Sequence, residues 1–451
     1  MNKLLTKFID LNDKRSNILR KNIFGSFFLR IVDVLVDFLL VPISLAYLTQ
    51  TDYGIWLTIN SIVNWMNFFD IGISHGYRNK LAIALSNKDY TLAKTYTSTV
   101  YVIIGAISLV LGLICLLTIP FINWENMLNT PTDYNNILTM VMLVVVASFT
   151  IRLTLKIITS VFLAHQMPFW RNLINTITKT LTLGLIVLAG YFTNKNLLVF
   201  ALIQSLLPLL VLVISTILFF NKKYKYIRPN FSFFDKDVIK DLFGLGIKFF
   251  VIQLAATMLF TTDNVIIAHV LSPAHVAPYM ITLKYFGAFS IIFAIIKTPY
   301  WSAFTDAYQK GDYKWIRKSI STLNYIWIAG VVFTLVLFIA FEKIKIFWVG
   351  EDIQTPILLV CQCALFVLLQ AYSSIYTSFL NGTGKVKLVM FTGILTLGIN
   401  IPLSIYFAVN LNMGSAGILL ATNCSLLLYI ITRRIQYQKI INNRAYGIWN
   451  K

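Results

Sequence analysis

Charged residues interrupt the long apolar segments of this sequence, and several of them are spaced so that they share one face of a helix. A charge at membrane depth is costly unless it faces water or a partner of opposite charge. The basic residues of interest are Arg30, Arg152, Lys156, Lys284 and Lys297, and the acidic ones are Asp33, Asp37 and Asp263. Cations at this depth can bind an anion, and carboxylates can bind a proton or a metal cation.

The basic residues predict a site for an anionic substrate. Arg152 and Lys156 are four residues apart, so a helix places them on one face, about 6 Å apart along its axis. Two cations on one face repel each other unless an anion or a water-filled cavity is near. With Arg30, Lys284 and Lys297 they predict a basic cavity between two helical bundles. Such a cavity suits a phosphate or pyrophosphate above all.

The carboxylates predict a site that couples transport to an ion gradient. Arg30, Asp33 and Asp37 fall within about 60° of each other on one helix face. Arg30 is one turn from Asp33 and is expected to hold it ionised. Asp37 and Asp263 have no basic residue within one turn of their own helix, so they are candidates for a proton or sodium site. Two structural alternatives stay open: a static ion pair of Arg30 with Asp33 or Asp37, and a purely structural Asp263.

Composition indicates that these residues belong to membrane-spanning helices. The chain has 451 residues, of which 57% are hydrophobic and 12% charged, whereas about a quarter of an average soluble protein is charged. Twelve apolar segments have the length of a spanning helix, and they are 23–48, 54–74, 96–119, 138–163, 172–192, 197–220, 242–268, 279–304, 321–341, 357–379, 387–409 and 415–432. We therefore predict an all-α integral membrane protein with twelve transmembrane helices.

Basic residues predict the orientation of these helices. With the N-terminus in the cytoplasm, 28 Lys and Arg fall in cytoplasmic segments and 3 in outer loops. Cytoplasmic loops carry the excess of Lys and Arg in membrane proteins, so both termini are predicted to be cytoplasmic. The net charge of +20 would suggest nucleic acid for a soluble chain, but here it lies in loops between spans, and no nucleic-acid partner is expected.

The sequence also repeats itself at an offset of 223 residues. Asp89-Tyr90 corresponds to Asp312-Tyr313 at this offset, and farther along the chain Phe162-Leu163 corresponds to Phe379-Leu380 at an offset of 217. Six helices per half give two parallel repeats around a central cavity, a common transporter plan. The predicted division is a cytoplasmic N-terminus (1–22), an N-terminal six-helix lobe (23–220), a cytoplasmic linker (221–241), a C-terminal six-helix lobe (242–432) and a cytoplasmic tail (433–451).

Catalytic motifs are absent from the sequence. It has no Gly-rich phosphate loop followed by Lys-Ser or Lys-Thr, so no ATPase of its own is expected. Its four His are scattered and its four Cys lie inside apolar segments, so neither a metal site nor a cofactor is predicted. The sequence favours a transporter over an enzyme.

Several segments together resemble a known family. They are Tyr53-Gly-Ile-Trp-Leu, Phe68-Phe-Asp-Ile-Gly-Ile-Ser-His-Gly-Tyr-Arg-Asn-Lys-Leu-Ala, Asp89-Tyr with Ala93-Lys94, Thr262-Asp-Asn-Val-Ile-Ile, Pro278-Tyr279 and Phe379-Leu-Asn-Gly-Thr-Gly-Lys. They are similar to the Wzx polysaccharide flippases of the multidrug/oligosaccharidyl-lipid/polysaccharide exporter superfamily. The resemblance extends over nearly the whole chain and includes the number of spans and the repeat.

This resemblance implies a translocase of the bacterial inner membrane. Its cargo would be an undecaprenyl-pyrophosphate-linked oligosaccharide for O-antigen or capsule synthesis, flipped outward by alternating access. A proton or sodium gradient would drive it, and a polysaccharide polymerase would be a further partner besides membrane lipid. Two alternatives remain: a drug or metabolite cation antiporter of the same superfamily, and a noncatalytic scaffold of an envelope-synthesis complex.

Overall fold

The computed structural model of the chain describes residues 14–70, 73–130, 134–165, 167–193, 195–239, 242 and 261–450. Every regular element in this part of the chain is helical, so the predicted all-α class is confirmed. The predicted N-terminal segment 1–22 and the seventh predicted span 242–268 lie mostly outside the described residues.

Fifteen α-helices follow one another along the described chain. The first nine are α1 (Lys14–Tyr47), α2 (Gln50–Met66), α3 (Ile73–Ser86), α4 (Tyr90–Thr118), α5 (Trp124–Leu128), α6 (Asn135–Leu155), α7 (Ile157–Ala164), α8 (Pro168–Phe192) and α9 (Leu197–Asn221). The others are α10 (261–270), α11 (Val276–Gln309), α12 (Tyr313–Val349), α13 (Ile357–Thr383), α14 (Lys387–Ile405) and α15 (Gly414–Ile441).

Nine helical segments of the described residues are long and apolar enough to cross a membrane. The three other predicted spans differ for separate reasons. The first span, on α1, carries Arg30, Asp33 and Asp37 in its apolar part. The second corresponds to α2, which has only 17 residues. The seventh lies mostly outside the described residues. The multi-pass membrane architecture therefore agrees with the sequence.

The chain divides into two compact units. Unit 1 comprises Met1–Leu48, Met66–Asn123 and Asp133–Phe250, and unit 2 comprises Thr49–Trp65, Trp124–Thr132 and Val251–Lys451. Helices α2 and α5 thus belong by their contacts to unit 2, although they precede the linker in sequence. The division into lobes at 221–241 stays a prediction.

Packing in unit 1 brings α1 along α8 and α9 against α6. Helices α4 and α6 are joined by polar groups, and Thr154 Oγ1 donates to Ser108 Oγ at 3.0 Å. Glycine is required at position 76, where a Cβ would lie 2.1 Å from the Leu242 carbonyl oxygen. The contacts of α1 with α8, and of α6 with α4 and α9, hold together the helices that carry the predicted intramembrane charges of this unit.

Packing in unit 2 centres on α13, which contacts both α11 and α15, while α14 packs on α15. Near the end of α13 the Phe379 ring centroid lies 5.8 Å from Phe304 and 5.2 Å from Tyr437. On α2, a Cβ at Gly54 would lie 1.8 Å from the Pro273 carbonyl oxygen. Close approach of backbone therefore holds α2 within this unit.

The sequence repeat reappears as the same helix cap in both halves. Asp89 caps α4 and its Oδ1 accepts from Leu92 N at 2.9 Å. Asp312 caps α12 in the same way, and its Oδ1 accepts from Trp315 N at 3.0 Å. A capping carboxylate satisfies an N–H group that has no intrahelical partner.

The backbone of the preceding turn is also repeated. The cap residues donate their N–H to Ala84 O and to Ala307 O, at 2.9 Å in both halves. The residues just before the caps, Lys88 and Gly311, are left-handed with φ of 59° and 68°. Two sequence segments 223 residues apart therefore fold into one turn, as the predicted repeat requires.

Two predicted span boundaries differ from the helices. The fourth span is broken at Lys156, where Thr159 Oγ1 donates to the Lys156 carbonyl at 2.8 Å. The ninth predicted span, 321–341, lies on α12, which continues to Val349. Lys345, one of the three cations counted in outer loops, therefore lies on this helix. Lys345 is buried, and its Nζ donates to Glu342 Oε1 at 2.6 Å; this ion pair stabilises the extra turns.

Candidate functional site

A cluster of basic side chains lies where α6 meets α7 in unit 1. Arg152 is half-buried one turn before the helix break, with its guanidinium 6.0 Å from the Phe149 ring centroid. Lys156 sits at the break and is exposed. The charged neighbours of Lys156 are Arg152, Arg171 and one carboxylate, Asp70. The predicted Arg152–Lys156 pair is therefore part of a patch with an excess of positive charge.

Asp33 of α1 is buried against α8, where neutral side chains donate hydrogen bonds to its carboxylate. Thr176 Oγ1 donates to Asp33 Oδ1 at 2.6 Å, and Asn175 Nδ2 donates to Oδ2 at 2.9 Å. Arg30 is exposed, and it forms no ion pair with Asp33 among the described side chains. The expectation that Arg30 holds Asp33 ionised is thus wrong, because rotation of α1 turns Asp33 toward α8.

Asp37 does have a basic partner, which comes from another helix. Lys179 Nζ of α8 lies 2.6 Å from Asp37 Oδ2, and the two side chains are 26% and 46% exposed. The sequence showed only that no cation lies near Asp37 on its own helix. The ion pair of Asp37 is therefore with Lys179 of another helix and not with Arg30. It lies one turn along α1 from the hydrogen bonds of Asp33.

Asp263 of α10 is the central residue of a buried polar cluster in unit 2. It is 2% exposed. Tyr279 OH donates to its Oδ2 at 2.6 Å, and Thr422 Oγ1 of α15 lies 3.3 Å from Oδ2 and 3.4 Å from Oδ1. No described basic side chain forms an ion pair with Asp263. Among the described residues, the partners of its carboxylate are therefore neutral hydroxyl groups, which donate hydrogen bonds to it.

The cluster continues onto α14 through Asn400, which is fully buried. Its Nδ2 donates to Thr422 Oγ1 at 3.1 Å, so its Oδ1 is available as an acceptor. That oxygen is buried and has no hydrogen-bond partner among the described residues. A carboxylate, a hydroxyl and an unpaired amide oxygen are oxygen ligands of the kind that bind hard cations.

The remaining predicted substrate residues, Lys284 and Lys297, lie on α11 in unit 2. Both side chains are half-buried. Thirteen residues separate them, so they are about 20 Å apart along the helix axis. Lys284 and Lys297 are therefore too far apart to bind one phosphate together, unlike Arg152 and Lys156, which are one helical turn apart.

The linker packs on unit 1 through residues that sequence reasoning did not single out. Its backbone N–H groups at Asn230 and Asp235 donate to Ser98 Oγ and Thr99 Oγ1 of α4, both at 3.1 Å. Tyr226 OH lies 2.7 Å from His165 Nε2. Burial, together with the positive charge of Lys223, lowers the pKa of His165 from its usual 6.5. His165 Nδ1 lies 2.8 Å from Val161 O, so neutral His165 donates there and accepts from Tyr226.

Sequence reasoning also missed Arg433, Thr422 and Asn400. Arg433 was counted with the cytoplasmic tail, but α15 extends through it to Ile441. Small polar residues recur at helical spacing along the last two spans, and this pattern could have pointed to Asn400 and Thr422. Such residues are also common in packed membrane helices, so the signal did not separate a site from ordinary packing.

Comparison with known proteins decides the family. Residues 19–305, more than half of the chain, match the family model described as "Polysaccharide biosynthesis protein". The chain belongs to this polysaccharide biosynthesis protein family. A Yersinia pseudotuberculosis member, provisionally named an O-antigen export protein, is 25% identical over 373 residues, covering 79% of this chain and 82% of the relative.

Solved structures with the same fold are transporters. An inward-facing multidrug resistance MATE family transporter of the MOP superfamily matches with a TM-score of 0.74 and 12% identity, covering 93% of this chain and 96% of the other. The bent form of the Vibrio cholerae MATE transporter VcmN matches with a TM-score of 0.61 and 14% identity, covering 96% and 99%. This polysaccharide biosynthesis protein is thus a multi-pass membrane protein that shares the fold of these transporters.

Proposed function

We propose that the protein flips an undecaprenyl-pyrophosphate-linked oligosaccharide across the bacterial inner membrane by alternating access. The observation that carries this proposal is the basic cluster of unit 1, where the charges of Arg152, Arg171 and Asp70 all act on Lys156, so that three cations are grouped with one described carboxylate. A lipid pyrophosphate is an anion that requires cations along its path. Arg30, Lys284 and Lys297 are proposed to contact the same cargo.

Membership of a polysaccharide biosynthesis family supports this cargo, as does the relative named for O-antigen export. The transporter fold supports movement of the cargo rather than its chemical conversion. A polysaccharide polymerase would then receive the flipped repeat unit on the outer face.

We propose further that the carboxylates of α1 and α10 couple transport to a proton or sodium gradient. Asp263, Thr422 and Asn400 offer oxygens to a cation in unit 2, and a proton on Asp263 would also remove its charge. In unit 1, Asp33 and Asp37 are the corresponding groups, and Lys179 balances Asp37. Loading and release of the ion would change the free energy of the two access states.

The proposed orientation has both termini in the cytoplasm. In a cysteine-free background, single cysteines at Asn126 and Lys223 should be labelled from opposite sides of the membrane by an impermeant maleimide. Labelling of both from the same side would contradict the twelve-span topology.

The transport proposal is tested with purified protein in liposomes and a fluorescent polyprenyl-pyrophosphate-linked sugar. Arg152→Ala and Lys156→Ala should each reduce translocation by about tenfold or more, a change of about 1.4 kcal/mol. Arg152→Lys should retain part of the activity, because it keeps the charge but loses the bidentate fork. Lys222→Ala, an exposed cation of the linker, serves as the matched control.

Normal translocation by both alanine variants at normal protein levels would refute the anion-path hypothesis. Uptake of a cationic dye in place of the lipid-linked sugar would instead favour a drug antiporter. A scaffold predicts no flux for any variant, with loss of complex assembly as the measurable defect.

A further inference from the structure

Arg433 on α15 is held in one orientation by neutral groups of unit 2. Its Nη1 donates to Ser373 Oγ at 2.7 Å and to Thr377 Oγ1 at 2.8 Å, both on α13. Its guanidinium carbon lies 4.3 Å from the Tyr429 ring centroid, one turn back on α15. None of these three partners carries a negative charge, so the positive charge of Arg433 is not neutralised by them.

The surrounding hydrogen bonds fix this geometry. Thr377 Oγ1 donates its own hydrogen to the Ser373 carbonyl at 2.8 Å, so its lone pairs face Arg433. Tyr429 is held in turn, since its OH lies 2.7 Å from Thr396 Oγ1. The guanidinium is therefore positioned before any ligand arrives, which reduces the entropy lost on binding.

The other edge of the guanidinium has no partner within the described chain. Nε is buried and makes no hydrogen bond there, and no described group accepts from Nη2. Nε and Nη2 together present two parallel N–H groups, which match two oxygens of a phosphate or carboxylate. The described side chains place no carboxylate within ion-pair distance of this edge.

The internal repeat relates this arrangement to the basic cluster of unit 1. Phe162 corresponds to Phe379 in the repeat, and six residues before each stand Lys156 and Ser373. The fourth span of the first half thus carries a cation at the position where the second half carries a serine. In unit 2 the cation comes from Arg433 on the last helix, which contacts that serine directly.

We propose that Arg433 binds a phosphate oxyanion of the lipid-linked cargo through its Nε–Nη2 edge. This inference rests on the proposed function and assigns unit 2 a further pyrophosphate-binding residue, besides Lys284 and Lys297. Arg433 lies eight residues before the end of α15 at Ile441, about 12 Å along the axis. In the proposed orientation this is near the cytoplasmic leaflet, where the pyrophosphate of newly made cargo lies.

The test measures binding of farnesyl pyrophosphate to the full chain in neutral detergent. Arg433→Gln and Arg433→Lys should each weaken binding by more than tenfold, since glutamine loses the charge and lysine loses the fork. The adjacent Arg434, which is exposed, provides the matched control Arg434→Gln, and this variant should bind as the wild type does. Thermal unfolding without ligand reports whether each variant is folded.

Further probes distinguish the source of the phosphate. Inorganic pyrophosphate should compete with farnesyl pyrophosphate in the wild type and compete less in Arg433→Lys. Nanodiscs with and without phosphatidylglycerol test a lipid headgroup instead, and dependence of that binding alone on Arg433 would overturn the cargo assignment.

Equal farnesyl pyrophosphate affinity in the wild type and folded Arg433→Lys would overturn a binding role for Arg433. The proposed function would survive that result if Arg152→Ala still lost binding and translocation. Conversely, Arg433-dependent binding of pyrophosphate by a protein that translocates no lipid-linked sugar would contradict the proposed function and leave the anion site intact.

Discussion

The two units hold carboxylates at membrane depth in different surroundings. In unit 1, Asp37 is paired with Lys179 at 2.6 Å, and neighbouring Asp33 accepts two hydrogen bonds from α8. In unit 2, Asp263 is surrounded by the hydroxyls of Tyr279 and Thr422 and has no ion pair with a described cation. In unit 1 a cation balances one carboxylate and neutral donors hold the other, whereas in unit 2 the described partners of the carboxylate are hydroxyls.

The difference indicates which carboxylate is suited to reversible loading. The Lys179–Asp37 ion pair and the two hydrogen bonds to Asp33 each join α1 to α8, so these two carboxylates contribute to helix packing. A carboxylate without a cationic partner gains from any ion that neutralises it, and the Asp263 cluster also contains the Asn400 Oδ1, which has no hydrogen-bond partner among the described residues. We therefore expect Asp263 to respond most to an ion gradient, and Asp33 and Asp37 to contribute more to the fixed packing of α1 on α8.

The largest expected effect is that of Asp263→Asn. Asparagine keeps the size and an acceptor for Tyr279 but cannot carry charge, so gradient-driven flux should fall by more than about tenfold while cargo still binds. Asp37→Asn should reduce flux less. Flux in liposomes, with a pH or a sodium gradient imposed separately, identifies the ion. If both variants respond to either gradient as the wild type does, these carboxylates have a structural role only.

A smaller effect is expected at Asp33. Thr176→Val removes the 2.6 Å hydrogen bond to this buried carboxylate and should destabilise the protein by about 1–2 kcal/mol. Thr176→Ser keeps a hydroxyl and is the control. Thermal unfolding in detergent measures the difference. Identical unfolding temperatures for the valine and serine variants would show that Asn175 alone suffices to hold Asp33.

The Lys179–Asp37 pair should contribute less still. Polar contacts between membrane helices average about 0.6 kcal/mol in double-mutant cycles. A cycle of Lys179→Gln, Asp37→Asn and the double variant should give a coupling of about that size in unfolding free energy. A coupling above about 3 kcal/mol would mean a pair that is far more desolvated than its exposure indicates.

The smallest effect is expected for His165, whose titration contributes to the pH dependence of stability. Its pKa is lowered in the folded protein by burial and by Lys223, so the unfolded chain binds more protons near and below pH 6.5. Linkage then predicts that stability decreases as the pH falls below 6.5. His165→Gln should show less of this decrease between pH 7.5 and 5.5 in unfolding experiments. An unchanged pH profile would assign the decrease to other groups.

The sequence alone determined the features that depend on local order along the chain. Apolar segments of about 20 residues must be helices in a membrane, because every backbone polar group needs an internal partner there. The Asp-Tyr pairs indicated an internal repeat, and Asp89 and Asp312 cap their helices in the same way. Capping depends on neighbours within one turn, so it can be recognised from sequence.

Which charged side chains meet depends on how the helices pack against one another. The partner of Asp37 is Lys179, which is 142 residues away, and that of Arg433 is Ser373, 60 residues away. A helix can present any face to its neighbour, and rotation by one residue, about 100°, exchanges one set of contacts for another. Arg30 was the near candidate for Asp33 along the chain, but the packing of α1 on α8 turned Asp33 toward Thr176.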